Sequence, residues 1–293
     1  RKGRLQGTIQ SQIMRTHLSK ILYIAVILLS CASCKAEKNR NVIMGQNDSI
    51  IVVAHRGGAD LGPENTLECI GKGIAAGADW IEIDVHLSAD GKIVVCHDAS
   101  VDRTTNGKGW ISQMPYEDIR KLKVKDKNGD LCEGHIPTLD EVLDLIKGKA
   151  HLLLEIKYSK HSREGIEEMC LKCIEEHQAG SFVTIQSFDD SVLKKVHDLN
   201  PDISLEKLFF FIFPDTGLCF DERLHKFSFD DYSHVKSFNV WKGWLKDSLI
   251  KKAHDRGKQI KAWTVNDYDP DLAAKVDGII TNSPDLYSQK GIK

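Results

Sequence analysis

Between residues 51 and 281 the chain alternates short apolar, largely β-branched runs with amphipathic stretches, and this alternation narrows the possible folds more than any other feature. The strand-like runs are Ile51–Ala54, Trp80–Val85, Ile93–Cys96, Leu152–Ile156, Phe182–Ile185, Ile203–Phe213, Val235–Val240, Gln259–Thr264 and Gly278–Thr281. Helical periodicity separates most of them, at Thr66–Ala76, Leu139–Ile146, Ile166–His177, Ser191–Leu199 and Ser248–Arg256. Strands that alternate with helices predict a parallel sheet covered by those helices.

Nine runs exceed an eightfold barrel by one, and the second connection accounts for the excess. Only Leu87–Lys92, containing Asp90-Gly91, separates the second run from the third. That link is too short for a parallel crossover and suits a hairpin. The third run is then an antiparallel arm, and the remainder predicts an α/β fold, a TIM-like (β/α)8 barrel. No glycine-rich phosphate loop follows the first strand, which argues against a dinucleotide fold. The stretch 99–134 is polar and glycine-containing, and it reads as an insertion after the second barrel strand rather than as core.

The N-terminal region has a different character. Arg15, His17 and Lys20 precede the apolar run Ile21–Leu29, then small residues and Cys31. A basic region, a short apolar run and small residues describe an export signal. The run is too short to span a bilayer, which takes about 20 residues. Leu28-Leu29-Ser30-Cys31 resembles a bacterial lipobox. Residues 1–13 therefore read as an upstream segment before Met14, 14–30 as the signal peptide, 31–49 as a polar tether lipidated at Cys31, and 50–290 as the barrel domain. The implied location is an exported, membrane-anchored bacterial lipoprotein, periplasmic or on the cell surface. A net charge of −2 offers no global basic field for nucleic acid. Without Cys31, seven of the eight cysteines remain, an odd number. Cys170 and Cys173 form a lone CxxC in a helical pattern without two further soft ligands at similar spacing, so the cysteines read as apolar filler with at most one disulfide.

Glu82-Ile83-Asp84 places two carboxylates on one strand face. Acids so placed repel each other and lose hydration unless a cation neutralises them, and carboxylate oxygen suits Mg²⁺ or Ca²⁺. Glu155-Ile156-Lys157 repeats the pattern with a third carboxylate and a base able to hold a phosphate oxygen. His55 and His97 each end a strand-like run. A turn near Ala89–Gly91 pairs residues whose numbers sum to about 180, which sets His97 opposite Glu82–Asp84. Phosphodiester cleavage needs charge stabilisation at phosphorus, a base and an acid. One divalent cation with Arg56 and Lys157 meets the first need, and two histidines meet the others.

His55-Arg56-Gly57, Pro63-Glu64-Asn65-Thr66, Glu82-Ile83-Asp84-Val85, Asp90-Gly91 and Val94-Val95-Cys96-His97-Asp98 together resemble the glycerophosphodiester phosphodiesterase family in order and spacing. Arg103-Thr104-Thr105, Ile136-Pro137-Thr138-Leu139, Glu155-Ile156-Lys157, Ser187-Phe188, Trp263-Thr264-Val265-Asn266 and Asp277-Gly278-Ile279-Ile280-Thr281 extend the match over about residues 52–287. The resemblance implies a TIM-like barrel that hydrolyses glycerophosphodiesters to glycerol 3-phosphate and an alcohol. It implies His55 and His97 as the acid/base pair and Glu82, Asp84 and Glu155 as ligands of one Mg²⁺ or Ca²⁺. Arg56 and Lys157 become phosphate contacts, Glu64 and Asn65 supports around the metal, and Trp263 a wall of the substrate groove. By analogy with related phospholipases, the substrate's own 2-hydroxyl is an attacking group. Asn282 departs from the family's usual Asp. The segment 206–232 departs too, and reads as packing rather than a lid, while His86 reads as a rim residue and Asp98 as an orienter. The competing readings are a related barrel phospholipase or lyase acting on lysophospholipid, sphingolipid or phosphoinositide, and a silent binding lipoprotein. The last expects a lost histidine or metal ligand, yet all five positions are filled.

Overall fold

The computed structural model describes residues 50–288 apart from Lys160. The upstream segment, the signal peptide, Cys31 and the tether through residue 49 lie outside the described residues.

Eight parallel strands close into a barrel: β1 (Ile51–Ala54), β2 (Trp80–Leu87), β4 (His151–Ile156), β5 (Val183–Ser187), β6 (Ser204–Phe209), β10 (Ser237–Trp241), β11 (Gln259–Trp263) and β12 (Gly278–Thr281). Closure comes from β1, which pairs with β12 along Ile51↔Gly278 to Ala54↔Thr281 and with β2 at Val53↔Trp80 and Ala54↔Ile81. The third run forms β3 (Ile93–Val95), antiparallel to β2 with Val85↔Val95, His86↔Val94 and Leu87↔Ile93 opposed. This is the hairpin arm and register that the short connection predicts.

Helices α1 (Leu67–Ala75), α2 (Leu139–Ile146), α3 (Ile166–Glu176), α4 (Asp190–Leu199) and α5 (Asp247–His254) cover the barrel. Each has a buried stripe, and α1, α2 and α4 start at a side-chain cap from Thr66, Thr138 and Asp189. In α2, Thr138 and Glu141 form a reciprocal capping box, and Leu139, Val142, Leu143 and Ile146 face the barrel. On β2 the alternation is strict. Ile81, Ile83 and Val85 join the core beneath the helices, and Glu82, Asp84 and His86 take the other face. That other face is the lumen, where Val53, Leu153 and Ile280 make a small separate cluster. Among the described residues no helix is long and apolar enough to cross a membrane.

Three expectations change. The run Ile203–Phe213 is two strands, because the barrel strand ends at Phe209 and β7 (Phe211–Phe213) begins a three-stranded antiparallel sheet with β8 (Leu218–Phe220) and β9 (Leu224–Lys226). Glu206 and Lys207 therefore belong to the barrel, and the β6-to-β10 connection is covered by this sheet and a 3-10 turn, Phe229–Tyr232, in place of an α-helix. Phe227 and Tyr232 pack edge-on against Phe209 at 5.9 and 5.4 Å. Fully buried Lys207 ties the small sheet down, donating to the Phe188 and Leu208 carbonyls and pairing with Asp221 at 2.8 Å.

The stretch 99–134 is also more than a polar loop. Val101, Ile111, Tyr116, Ile119 and Val124 gather around Val94, Cys96 and Ile136 in a second buried cluster. Finally, Cys69, Cys96, Cys132, Cys170, Cys173 and Cys219 are all free, so the described residues contain no disulfide.

Candidate active site

The eight parallel barrel strands end on the same rim, and the charged residues singled out above collect there. In the turn after β1, Arg56 adopts φ +52 and its N–H donates to Glu82 Oε2 at 2.8 Å. The turn rests on α1 so closely that a Cβ on Gly73 would lie 2.3 Å from the Gly57 carbonyl oxygen. Asn65, at φ +60, donates from its N–H to the Arg56 carbonyl and from Nδ2 to Asp84 Oδ2 at 2.9 Å. Left-handed backbone at two non-glycine residues beside one carboxylate cluster is the kind of local strain that functional sites retain.

The β2–β4 register puts Asp84 beside Glu155, and Gln186 beside Glu155 on the next strand. Glu82, Asp84 and Glu155 are 1%, 1% and 5% exposed, and one oxygen from each lies within 4.8 Å of the others. Lys157 reaches back to Asp84 Oδ1 at 2.9 Å and Glu155 Oε1 at 2.6 Å. Burial and the repulsion of Asp84 and Glu155 push the Glu82 carboxyl well above its usual range. Burial acts the same way on Asp84, but Lys157, His97 and Arg56 outweigh it and hold that carboxyl well below. Three buried carboxylates thus face two cations, and the surplus negative charge and hard oxygen donors fit Mg²⁺ or Ca²⁺.

His55 Nδ1 lies 2.6 Å from Asn282 Oδ1. The amide oxygen only accepts, so Nδ1 carries the proton and Nε2 is left as the acceptor. Burial, reinforced by Arg56, lowers the imidazole to about 4 and keeps it neutral at pH 7. His97 Nδ1 lies 2.7 Å from Asp98 Oδ1. Its carbonyl is 3.1 Å from Nε2 of His86, a ring that is 4% exposed. His86 is thus a buried residue that supports His97 at the rim.

Arg103 joins the two sides. It donates from Nε to Asp98 Oδ2 at 2.8 Å and from Nη1 and Nη2 to the Glu64 carboxylate at 2.7 and 2.8 Å. Glu64 in turn accepts from Arg56 Nη1 at 3.0 Å. The Arg56 Nε is buried, makes no hydrogen bond within the described residues, and faces Asp84 Oδ2 at 3.9 Å as an ion pair. A cavity of about 620 Å³ opens beside His55 and Arg56, walled by Glu64, Arg103, Thr264, Asn266, Asn282 and Lys125–Gly129 of the insertion. Trp263 does not line it. Its Nε1 donates to the Asn239 carbonyl at 2.9 Å, and its ring meets Phe188 and Phe210 in an aromatic wall on the same rim.

Sequence reasoning missed the Arg103 bridge and the support beneath Glu82. Gln186 donates to Glu82 Oε1 at 3.3 Å, Asn239 donates to Gln186 and Glu206 at 2.8 Å each, and Lys261 pairs with Glu206. The signal was present as polar residues at inward positions of otherwise apolar strands.

Comparison with known proteins places the chain in a family. Residues 55–286 match the model of the Glycerophosphoryl diester phosphodiesterase family. A glycerophosphodiester phosphodiesterase of Caldanaerobacter subterraneus is 37% identical over 242 residues, covering 80% of this chain and 95% of that protein. One from Bacillus subtilis is 30% identical over 266 residues, covering 82% and 86%. Among solved structures, an Oleispira antarctica phosphodiesterase in complex with the product sn-glycerol-3-phosphate has a TM-score of 0.70 and 26% identity, covering 83% of this chain and 97% of that one. A putative glycerophosphoryl diester phosphodiesterase from Silicibacter pomeroyi has a TM-score of 0.73 and 25% identity, covering 85% and 94%.

Proposed function

The chain belongs to the glycerophosphoryl diester phosphodiesterase family, and on that premise we propose how its own residues hydrolyse a glycerophosphodiester to glycerol 3-phosphate and an alcohol. The observation that carries the reading is the convergence of two histidines, three buried carboxylates and two cationic side chains on one barrel rim.

Arg56 and Lys157 bind the non-bridging phosphate oxygens as positive charges held beside the carboxylates. Neutral His55 takes the proton of the attacking hydroxyl at Nε2, while Asn282 fixes its tautomer. As the phosphorus–oxygen bond to the alcohol breaks, His97, held in place by Asp98 and His86, gives its proton to the departing alkoxide. Water then attacks the cyclic phosphate left by the 2-hydroxyl, losing a proton to His97 while His55 returns one to the 2-oxygen, so that glycerol 3-phosphate forms. Glu82, Asp84 and Glu155 hold one divalent cation, Mg²⁺ or Ca²⁺, which supplies positive charge where the phosphate gains negative charge. Glu64 and Asn65 brace Arg56 and Asp84, and Trp263 forms part of the wall that receives the alcohol. The proposal includes export and a lipid anchor at Cys31, which would keep the enzyme beside the membrane whose lipids yield such diesters.

Release of glycerol 3-phosphate from glycerophosphocholine, with Mg²⁺, Ca²⁺ or EDTA and with lysophosphatidylcholine as the rival substrate, tests the reading. Loss of turnover on chelation and in His55→Ala and His97→Ala is expected. Turnover of lysophosphatidylcholine alone, or activity indifferent to EDTA and to both variants, would overturn it.

A further inference from the structure

Helices α2 and α3 pack against each other on the outside of the barrel and carry a second set of ligating side chains that hydrolysis does not use. Asp140 and Asp144 lie one turn apart on α2, and Cys173 and His177 lie one turn apart on α3, with His177 as the C-cap. A four-residue spacing stacks side chains on one helix face, so the two pairs form facing ridges. His177 Nε2 is 3.1 Å from Asp140 Oδ1, and Cys173 Sγ is 3.6 Å from that same oxygen. One ligating atom from each of the three residues lies within 4.8 Å of the others. Bonds of about 2.0–2.3 Å in a tetrahedron set neighbouring ligand atoms about 3.3–3.8 Å apart, close to these separations.

An imidazole between two carboxylates is an ordinary ion pair and needs no metal. Two details go beyond that pattern. A buried thiol converges on the same carboxylate oxygen as the ring, adding a soft donor where a plain ion pair has no use for one. The second ring nitrogen, Nδ1, lies 3.1 Å from Asp144 Oδ1, the carboxylate contact that orients a metal-bound histidine. We propose that Cys173, His177 and Asp140 bind a zinc-class dication between α2 and α3, with Asp144 positioning the imidazole and water completing the tetrahedron. The ion clamps two helices of the barrel wall and takes no part in the rim chemistry.

Titration of the intact, Mg²⁺-saturated protein with Co²⁺ tests this. A near-ultraviolet thiolate-to-cobalt band that saturates at one equivalent and is erased by Zn²⁺ is expected, since the all-oxygen rim site gives no such band. Cys173→Ser removes the band. Because a serine in that packed interface can fail to fold, the more accessible variants His177→Gln and Asp144→Asn serve alongside it. His177→Gln weakens Co²⁺ binding at least about 10-fold and Asp144→Asn about 10–100-fold, with glycerophosphodiester turnover unchanged in both. No band in the wild type, an undiminished band in Cys173→Ser, or unchanged affinity in His177→Gln overturns the assignment.

Discussion

Lys157 Nζ stands 2.9 Å from Asp84 Oδ1 across the β2–β4 seam. Without a metal ion this ammonium is the nearest neutraliser of Asp84 and Glu155. Removing one partner of a buried pair strands the other, at a cost of about 3–5 kcal/mol. Lys157→Met is therefore expected to lose about that much stability in EDTA and clearly less with saturating Mg²⁺, which replaces the missing charge. Urea denaturation in the two conditions measures the difference, and equal losses would show that the carboxylates do not share a cation.

His55 and Asn282 define a pH signature. With the imidazole lowered to about 4, the acid limb of kcat/KM falls well below the ordinary histidine value of about 6.5. Asn282→Asp puts a carboxylate on Nδ1, favours the protonated ring and moves that limb upward by about 1–2 pH units. Asn282→Ala frees the ring and lowers kcat/KM about 10–100-fold. A pH–rate profile in which Asn282→Asp leaves the limb in place would remove His55 from the base role.

Stability also depends on pH through His86, which burial lowers to about 4. Between about 6.5 and 4 the unfolded ring binds a proton and the folded ring does not, so stability rises with pH across that window and is lost as pH falls through it. The contribution of this one ring is roughly 3 kcal/mol. Denaturation midpoints measured from pH 7 to pH 4 should fall less steeply in His86→Gln. The same variant loosens His97 and is expected to lower kcat with little change in KM.

Arg103 makes paired contacts with two carboxylates, a geometry that a lysine cannot copy. Arg103→Lys keeps the charge but releases either Glu64 or Asp98. The expected result is about a 10-fold fall in kcat, with Mg²⁺ affinity unchanged because neither carboxylate is a ligand. A fall in metal affinity instead would place Glu64 closer to the ion than to Arg56.

The barrel and the carboxylates were legible because strand periodicity is local. Glu82 and Asp84 share a face whatever the rest of the chain does, and the Asp90-Gly91 turn fixed the β2–β3 register by counting. The insertion's core was not legible, since Val101, Ile111, Tyr116, Ile119 and Val124 follow no single period. Nor was the break at Phe210, because an unbroken apolar run carries no mark of where a barrel strand stops. Cys173, His177, Asp140 and Asp144 each have a readable helical spacing. That the two ridges face each other depends on how α2 and α3 are rotated about their axes, which only packing decides.

The barrel closes where its first strand meets its last, and His55 finds Asn282 across that closure, 227 positions along the chain. During synthesis the nascent polypeptide acquires both histidines and every carboxylate of the rim long before it acquires the amide that orients the first histidine. On the proposed roles, His55 is not aligned until the final strand has docked, and a prematurely terminated product would carry both histidines without the amide that orients the first.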